Sequence, residues 1–314
     1  MSANTVRCGP AFIRGRTPGE RRGPPAGRGE TLSLVFAGVC SHAPGITGRS
    51  ERADPTVRDA FYAAFERMRL ALEAARPDAL VIVGAEHFAN FFMNNMPAIC
   101  VGMAEHYEGP IEDEAWLRSG RRRVPGAPEL SRDLIQDVMA DIDLAYAQEW
   151  KFDHGVMVPL HFLTPRYDLP VIPVNINCQG PPLIPLKRCY EFGRALRRAC
   201  DARAERIAVI GTGGISHWPA TPDSGRINER WDREFLEKWA ANRREALLAY
   251  RDEDVWREAG QGGFEIRTFI AVAGATEGCA GEVWFYAPIP IFAVGCTVAV
   301  MRLAQSSAPG GVSP

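Results

Sequence analysis

Ile207-Ala208-Val209-Ile210 runs directly into Gly211-Thr212-Gly213-Gly214-Ile215-Ser216-His217-Trp218-Pro219. A short apolar run closed by glycines reads as a strand buried on both faces, because neither face keeps a polar position for water. The preceding segment, 186–202, reads as a helix, so the chain passes from helix to buried strand to a glycine-rich turn that carries a histidine. The same alternation repeats outward in both directions. Leu32 to Val39, Ala79-Leu80-Val81-Ile82-Val83 and Val171 to Ile176 are further buried strands, with others near 143–149, 282–287 and 292–301. Asp54-Pro55 opens a helix whose apolar positions Val57, Phe61, Phe65, Met68 and Leu72 follow three- and four-residue steps until Pro77. Helices are also expected near 128–140, 228–248 and 264–274. Strands separated by helices imply an α/β fold: a single domain with a central mixed sheet covered by helices on both faces.

The chain has 314 residues, of which 46% are hydrophobic and 24% charged, a balance ordinary for a globular protein. Residues 1–30 hold six Arg, six Gly and four Pro with few large apolar residues, so they are expected to form a tail without a core. Residues 306–314 read the same way, leaving 31–305 as the folded body. With 36 Lys+Arg against 38 Asp+Glu the formal charge is −2, which argues against binding nucleic acid through its phosphates. No apolar run is long enough to span a membrane, and no secretory signal follows the early arginines. The eight cysteines are scattered without C-x-x-C spacing, which points to reduced thiols and a cytoplasmic location.

The histidines carry the chemical signal. His42, His87 and His217 each follow an apolar strand by a few residues, and His154 sits in the turn Asp153-His154-Gly155. Ligands of open α/β sheets bind beyond the carboxyl ends of the strands. Any one such histidine has the alternative reading of a hydrogen-bonded structural residue, and His106 and His161 are read that way. Imidazole is a common neutral metal ligand, often completed by a carboxylate. The candidate carboxylates are Glu86, Asp153 and Glu265. Gly262-Gly263-Phe264 delivers Glu265 to a helix start, where an acid is electrostatically favoured; a solvated helix start is the alternative. The Gly211–Ser216 turn lacks both the Lys-Ser/Thr ending of a phosphate loop and the third dinucleotide-binding glycine, and Ser216 is not in a nucleophile elbow. Cys40 two residues before His42 keeps a zinc hydrolase open, with a packing role for the cysteine as the alternative.

Taken in order, Ser41-His42-Ala43-Pro44, Glu86 to Phe92, Asp153-His154-Gly155 with Val158-Pro159-Leu160, Gly211 to His217 and Gly263-Phe264-Glu265-Ile266 resemble the class III extradiol aromatic ring-cleaving dioxygenases. This is the group of the protocatechuate 4,5-dioxygenase large subunit and of 2,3-dihydroxyphenylpropionate dioxygenase. Pro173-Val174-Asn175 and Gly225-Arg226-Ile227-Asn228 resemble its connectors, and the likeness runs over residues 32–303. The resemblance implies an Fe(2+) cofactor on His42, His87 and Glu265, with His217 as acid and base and His154 as a second catalytic histidine. It implies an aromatic diol and O2 as substrates, meta ring cleavage, and a homo-oligomer with a separate small subunit as an option. Carboxylate-binding relatives carry a Ser-Asn pair near the last strand. Here that stretch reads Ala287-Pro288-Ile289-Pro290-Ile291-Phe292-Ala293-Val294-Gly295. An apolar wall leaves a ring carboxylate without partners, so an apolar-substituted catechol is expected before protocatechuate or gallate. Other classes left open are a zinc-dependent hydrolase on the same residues and a non-catalytic binding protein.

Overall fold

The computed structural model describes residues 33–303. The strands are β1 (Leu34–Cys40), β2 (Ala79–Gly84), β3 (Ile99–Gly102), β4 (His106–Gly109), β5 (Arg122–Pro125), β6 (Ala145–Ala147), β7 (Val171–Ile176), β8 (Ile207–Thr212), β9 (Gly281–Ile289) and β10 (Val294–Met301). The helices are α1 (Gly45–Gly48), α2 (Pro55–Ala75), α3 (Glu114–Leu117), α4 (Pro128–Val138), α5 (His154–Leu163), α6 (Leu186–Asp201), α7 (Glu229–Ala240), α8 (Arg244–Leu248), α9 (Asp252–Ala259) and α10 (Ile266–Ala275). Eight strands form one sheet in the order β6-β3-β7-β2-β8-β1-β10-β9, and β4 and β5 pair separately. The inner strands β7, β2, β8 and β1 are parallel, while β10, β9 and β3 join antiparallel to their inner neighbours. The sheet is therefore mixed, as expected.

Alternation along each inner strand divides the core. Val81 and Val83 of β2, with Ile207 and Val209 of β8, pack on the face covered by α4, α6, α7 and α10. Leu80, Ile82, Ala208 and Ile210 turn to the face covered by α2 and α5. Burying a Val, Leu or Ile side chain is worth about 1.5–3 kcal/mol, so a strand apolar at every position gains from both faces only when both are covered. The two expected helix layers follow from that. The α2 helix begins where expected: Asp54 accepts a hydrogen bond from Val57 N at 3.0 Å and Pro55 occupies the first turn. α10 lies close against α6, because a Cβ on Gly274 would overlap the Tyr190 carbonyl.

The expected helix at 228–248 is two helices, α7 and α8. Asn242 breaks it with φ of 45°, a left-handed conformation that Asn tolerates, and its Nδ2 donates to Ala273 O at 3.0 Å and Thr276 O at 2.8 Å. The expected strand near 143–149 shortens to β6. Residues 154–163, read as a turn at their start, form α5, capped by Asp153 Oδ1 accepting from Gly155 N at 3.0 Å. The expected terminal segments, 1–30 and 306–314, lie outside the described residues. Among those described, no helix is long and apolar enough to cross a membrane.

Register sets up the site. Cys40 of β1 is paired with Thr212 of β8, and Val83 of β2 with Gly211. The carboxyl ends of three adjacent parallel strands thus lie level. His42 follows β1 by two residues, His87 follows β2 by three, and His217 follows β8 by five.

Candidate active site

Glu265 ends a 3-10 turn, Gly262–Glu265, and is the residue on which α10 begins. Its expected place inside the first turn of the helix shifts by that one step, and the side chain is free to point across the strand ends. Gly214 N donates to its Oε2. Oε1 is left facing His42 Nε2 and His87 Nε2, each at 3.4 Å. His217 Nε2 lies 3.7 Å from Oε2. His42 and Glu265 are each 3% exposed, while the His87 side chain is 24% exposed, so the convergence is buried on one side and open to solvent at His87.

The protonation of each ring follows from what its other nitrogen meets. The Thr212 hydroxyl donates its single hydrogen to Gly155 O at 2.9 Å, so toward His42 Nδ1 at 3.1 Å it can only accept. His42 therefore carries its proton on Nδ1 and turns the Nε2 lone pair to Glu265. Asp153 Oδ2 accepts from His87 N at 2.7 Å and from His87 Nδ1 at 3.0 Å. Glu112 Oε1 accepts from His154 N at 2.8 Å and from His154 Nδ1 at 2.6 Å. His217 Nδ1 donates to Ile215 O at 3.3 Å. In all four rings Nδ1 is the donor.

His154 stacks on His87 with centroids 4.0 Å apart and meets His42 edge-on at 5.8 Å. Donor atoms of His42, His87 and His154 all lie within 4.8 Å of one another. The ring of His217 is admitted by two glycines: a Cβ on Gly262 would overlap its Nε2, and one on Gly214 would press its Cε1. Its loop is tied down by Ser216, whose N donates to Asp232 Oδ1 at 2.9 Å and whose Oγ accepts from Asn228 N at 2.8 Å.

Electrostatics divide the four histidines. Burial opposes charge on His87, but Asp153 and then Glu265 outweigh it and raise its pKa to about 10. Burial likewise opposes the charge on Glu265, yet His42 and His217 hold it well below the usual carboxylate range. His154 is pushed below the usual imidazole value by burial and by neighbouring His87, and His217 by burial with Glu265 opposing. Both are neutral at pH 7 and able to take a proton at Nε2.

The donor set fits a metal. Two imidazole nitrogens and a carboxylate oxygen point at one place, beside a second buried carboxylate, Asp153. Without a cation there, lone pairs face lone pairs and two negative charges go unbalanced; a proton on His87 supplies only part of the compensation. The facial two-histidine, one-carboxylate arrangement is the one that suits non-haem Fe(II) and leaves positions open. Cys40 does not join it: the thiol is buried in β1, against the α2 layer, where burial pushes its pKa up.

Other residues singled out in the sequence fall elsewhere. Glu86 accepts from Asn90 N and from Asn90 Nδ2 at 3.1 Å, and Asp153 holds His87 rather than joining the donor set. His106 is exposed on β4 beside Arg123, and His161 is exposed on α5. Thr212 and Glu112 carry no mark of their role in the sequence, for neither stands in a motif that identifies a histidine partner.

A profile described as "Catalytic LigB subunit of aromatic ring-opening dioxygenase" matches residues 37–297. A 2,3-dihydroxyphenylpropionate/2,3-dihydroxicinnamic acid 1,2-dioxygenase of Paraburkholderia xenovorans is 29% identical over 303 residues, covering 81% of this chain and 90% of its own. The protein of the same description from Rhodococcus rhodochrous is 28% identical, covering 84% and 96%. Among solved structures, an uncharacterized protein of Escherichia coli K12 shares the fold with a TM-score of 0.54 at 20% identity, covering 77% of this chain and 92% of its own.

Proposed function

The chain belongs to the family of catalytic subunits of aromatic ring-opening dioxygenases, and from that premise we propose that His42, His87 and Glu265 hold one Fe(II) for extradiol cleavage of a catechol. The observation that carries the reading is the convergence of His42 Nε2 and His87 Nε2 on one oxygen of Glu265, each at 3.4 Å. Bound there, Fe(II) would supply the redox chemistry that joins O2 to the ring and would lower the pKa of a catechol hydroxyl.

The protein's own groups do the rest. Gly214 N fixes Glu265 Oε2, so that Oε1 stays turned to the two imidazoles. Asp153 and Thr212 hold those rings in the tautomer that presents Nε2. His217, neutral with Nε2 free, accepts the second hydroxyl proton of the diol and returns it as the ring opens. His154, stacked on His87, is the second proton-handling group. Burial of His42 and Glu265 limits the access of bulk water to that side of the cluster.

Substrate choice follows from the wall. Ile289, Phe292 and Val294 are buried, Phe292 lies against Gly45 beside the His42 loop, and Val294 lies against Gly214. Arg267, a cation able to pair with a ring carboxylate, is fully buried on Asp252 at 2.5 Å and on Ile184 O at 2.9 Å, so it is committed elsewhere. Arg226 lies over the Trp218 ring at 4.4 Å. A catechol bearing an apolar or extended substituent is therefore preferred to protocatechuate or gallate; the substrates named for the relatives, a dihydroxyphenylpropionate and a dihydroxycinnamic acid, have the extended side chain but end it in a carboxylate set away from the ring.

The test is oxygen uptake by the anaerobically Fe(II)-loaded protein. The panel is catechol, 3-alkyl and 3-aryl catechols, protocatechuate and gallate. Higher kcat/KM for protocatechuate or gallate would refute the wall argument; no uptake with any diol would refute the dioxygenase reading. A cytoplasmic location accords with the seven described cysteines, all free thiols. The homo-oligomer, with or without a small subunit, is checked by sedimentation of the purified chain.

A further inference from the structure

We propose that Glu112 is a positioning residue for His154, acting as the third member of a substrate–His154–Glu112 relay. The proposal rests on the reading of His154 as a catalytic group and goes on to what makes that ring competent.

Glu112 follows β4 in a segment pinned to the start of α5, where Ile111 N donates to Phe152 O at 2.9 Å. From there a single oxygen, Oε1, accepts from both the backbone N and the ring Nδ1 of His154, at 2.8 and 2.6 Å. The pair is largely shielded, with side-chain exposures of 15% for Glu112 and 11% for His154. An ionised carboxylate is acceptor-only, so the ring proton must reside on Nδ1 and the lone pair on Nε2. Accepting from backbone and ring together also fixes the side-chain torsions, since the ring can turn only by breaking the shorter bond. His154 is thereby held stacked on His87 at 4.0 Å. Without Glu112, the neutral ring is free to take the other tautomer, whose Nε2 carries hydrogen and cannot accept a proton.

Bases of this kind lose most of their rate when the third group no longer sets the tautomer. A capping role at the start of α5 is the competing explanation. It is separable, because Asp153 already caps that helix through Gly155 N, and because a cap acts on folding whether or not residue 154 has an imidazole.

The experiment is a double-mutant cycle on the Fe(II)-loaded protein with one substituted catechol, using Glu112→Ala, Glu112→Gln, His154→Ala and the double Ala variant. Glu112→Ala should lower kcat about 10–100-fold with KM within about twofold, and iron content and melting behaviour should stay near wild type. Glu112→Gln, whose carbonyl still accepts both bonds, should return kcat to within about threefold of wild type. On the His154→Ala background, removing Glu112 should change kcat less than about twofold, since residues acting as a unit are not additive. Should the Ala variant fail to fold, Glu112→Met, of similar length with no oxygen acceptor, takes its place. Equal losses from Glu112→Ala on both backgrounds would overturn the proposal in favour of a structural role. Wild-type kcat in Glu112→Ala beside a large loss in His154→Ala would overturn it while leaving His154 catalytic. Wild-type kcat in His154→Ala would overturn both.

Discussion

Replacing Thr212 by Val keeps the shape of the side chain and removes only the hydroxyl. In the native protein that oxygen accepts from His42 Nδ1 at 3.1 Å and donates to Gly155 O at 2.9 Å, in a side chain fully shielded from water. Valine leaves a buried N–H and a buried carbonyl unpaired. Each costs about 1–3 kcal/mol, so a loss of about 2–6 kcal/mol is expected in the metal-free protein, roughly 4–10 °C in Tm for a domain of this size. His42 also loses the acceptor that keeps its proton on Nδ1. Removing such an outer partner typically weakens metal binding about 10–100-fold, or about 1.4–2.7 kcal/mol. Thr212→Ser retains the oxygen and should stay close to wild type in iron binding. The assay is an anaerobic competition titration of Fe(II) against a chromophoric chelator, alongside thermal unfolding of the metal-free chains. A Val variant that binds Fe(II) within a factor of about two of wild type would refute the tautomer argument, whatever its stability.

Ala at His42, His87 or Glu265 should abolish stoichiometric iron binding, measured by metal analysis after anaerobic loading, while circular dichroism keeps the native signature; full iron in all three would remove the assignment. His217→Gln should lose about 10²–10⁴-fold in kcat with iron content unchanged, and parallel loss of iron would move His217 into the coordination sphere. Burial raises the pKa of Asp232 from 3.8 to about 6, against the hydrogen bonds from Tyr286 and Ser216. Between those values the folded carboxyl holds a proton that the unfolded one has released, so stability is highest below about pH 4 for this group and declines as pH rises to about 6, by on the order of 3 kcal/mol. Asp232→Asn should flatten that window in urea unfolding titrations; an unchanged slope would show that Asp232 does not set it.

Much of the fold could be read because burial on both faces leaves a mark in the sequence. Ala79 to Val83, Val171 to Ile176 and Ile207 to Ile210 are apolar at nearly every position, and all three are inner parallel strands. What escaped was set by tertiary partners. Asn242 sits in an otherwise helical stretch, and only the α10 carbonyls that its Nδ2 reaches explain why the helix ends there. β3 is four residues long and owes its pairing to β7, more than seventy positions away. Gly155 and Pro159 argue locally against α5, while the Asp153 cap and burial against α2 favour it. In the site, His42, His87 and His217 were legible because each follows a strong strand signal, and strand ends in register must bring them together.

The sequence carries the rings but not their protonation, and the chemistry depends on protonation. Each of the four imidazoles places Nδ1–H on a different acceptor: the Thr212 hydroxyl, the Asp153 and Glu112 carboxylates, and the Ile215 carbonyl. Thr212 lies 170 positions from His42, Asp153 66 from His87 and Glu112 42 from His154. None of these separations has a local period that would advertise it. The nature of the acceptor also grades the rings. A carboxylate partner makes an imidazole a stronger donor at Nε2 than a neutral hydroxyl does. His87 and His154, each backed by an anion, therefore present the stronger lone pair at Nε2 when the ring is neutral. Their mutual stacking at 4.0 Å works against both being charged together. On the proposed function, a cation on the Nε2 side of His87 would raise the cost of a proton on His154 further and keep that ring neutral.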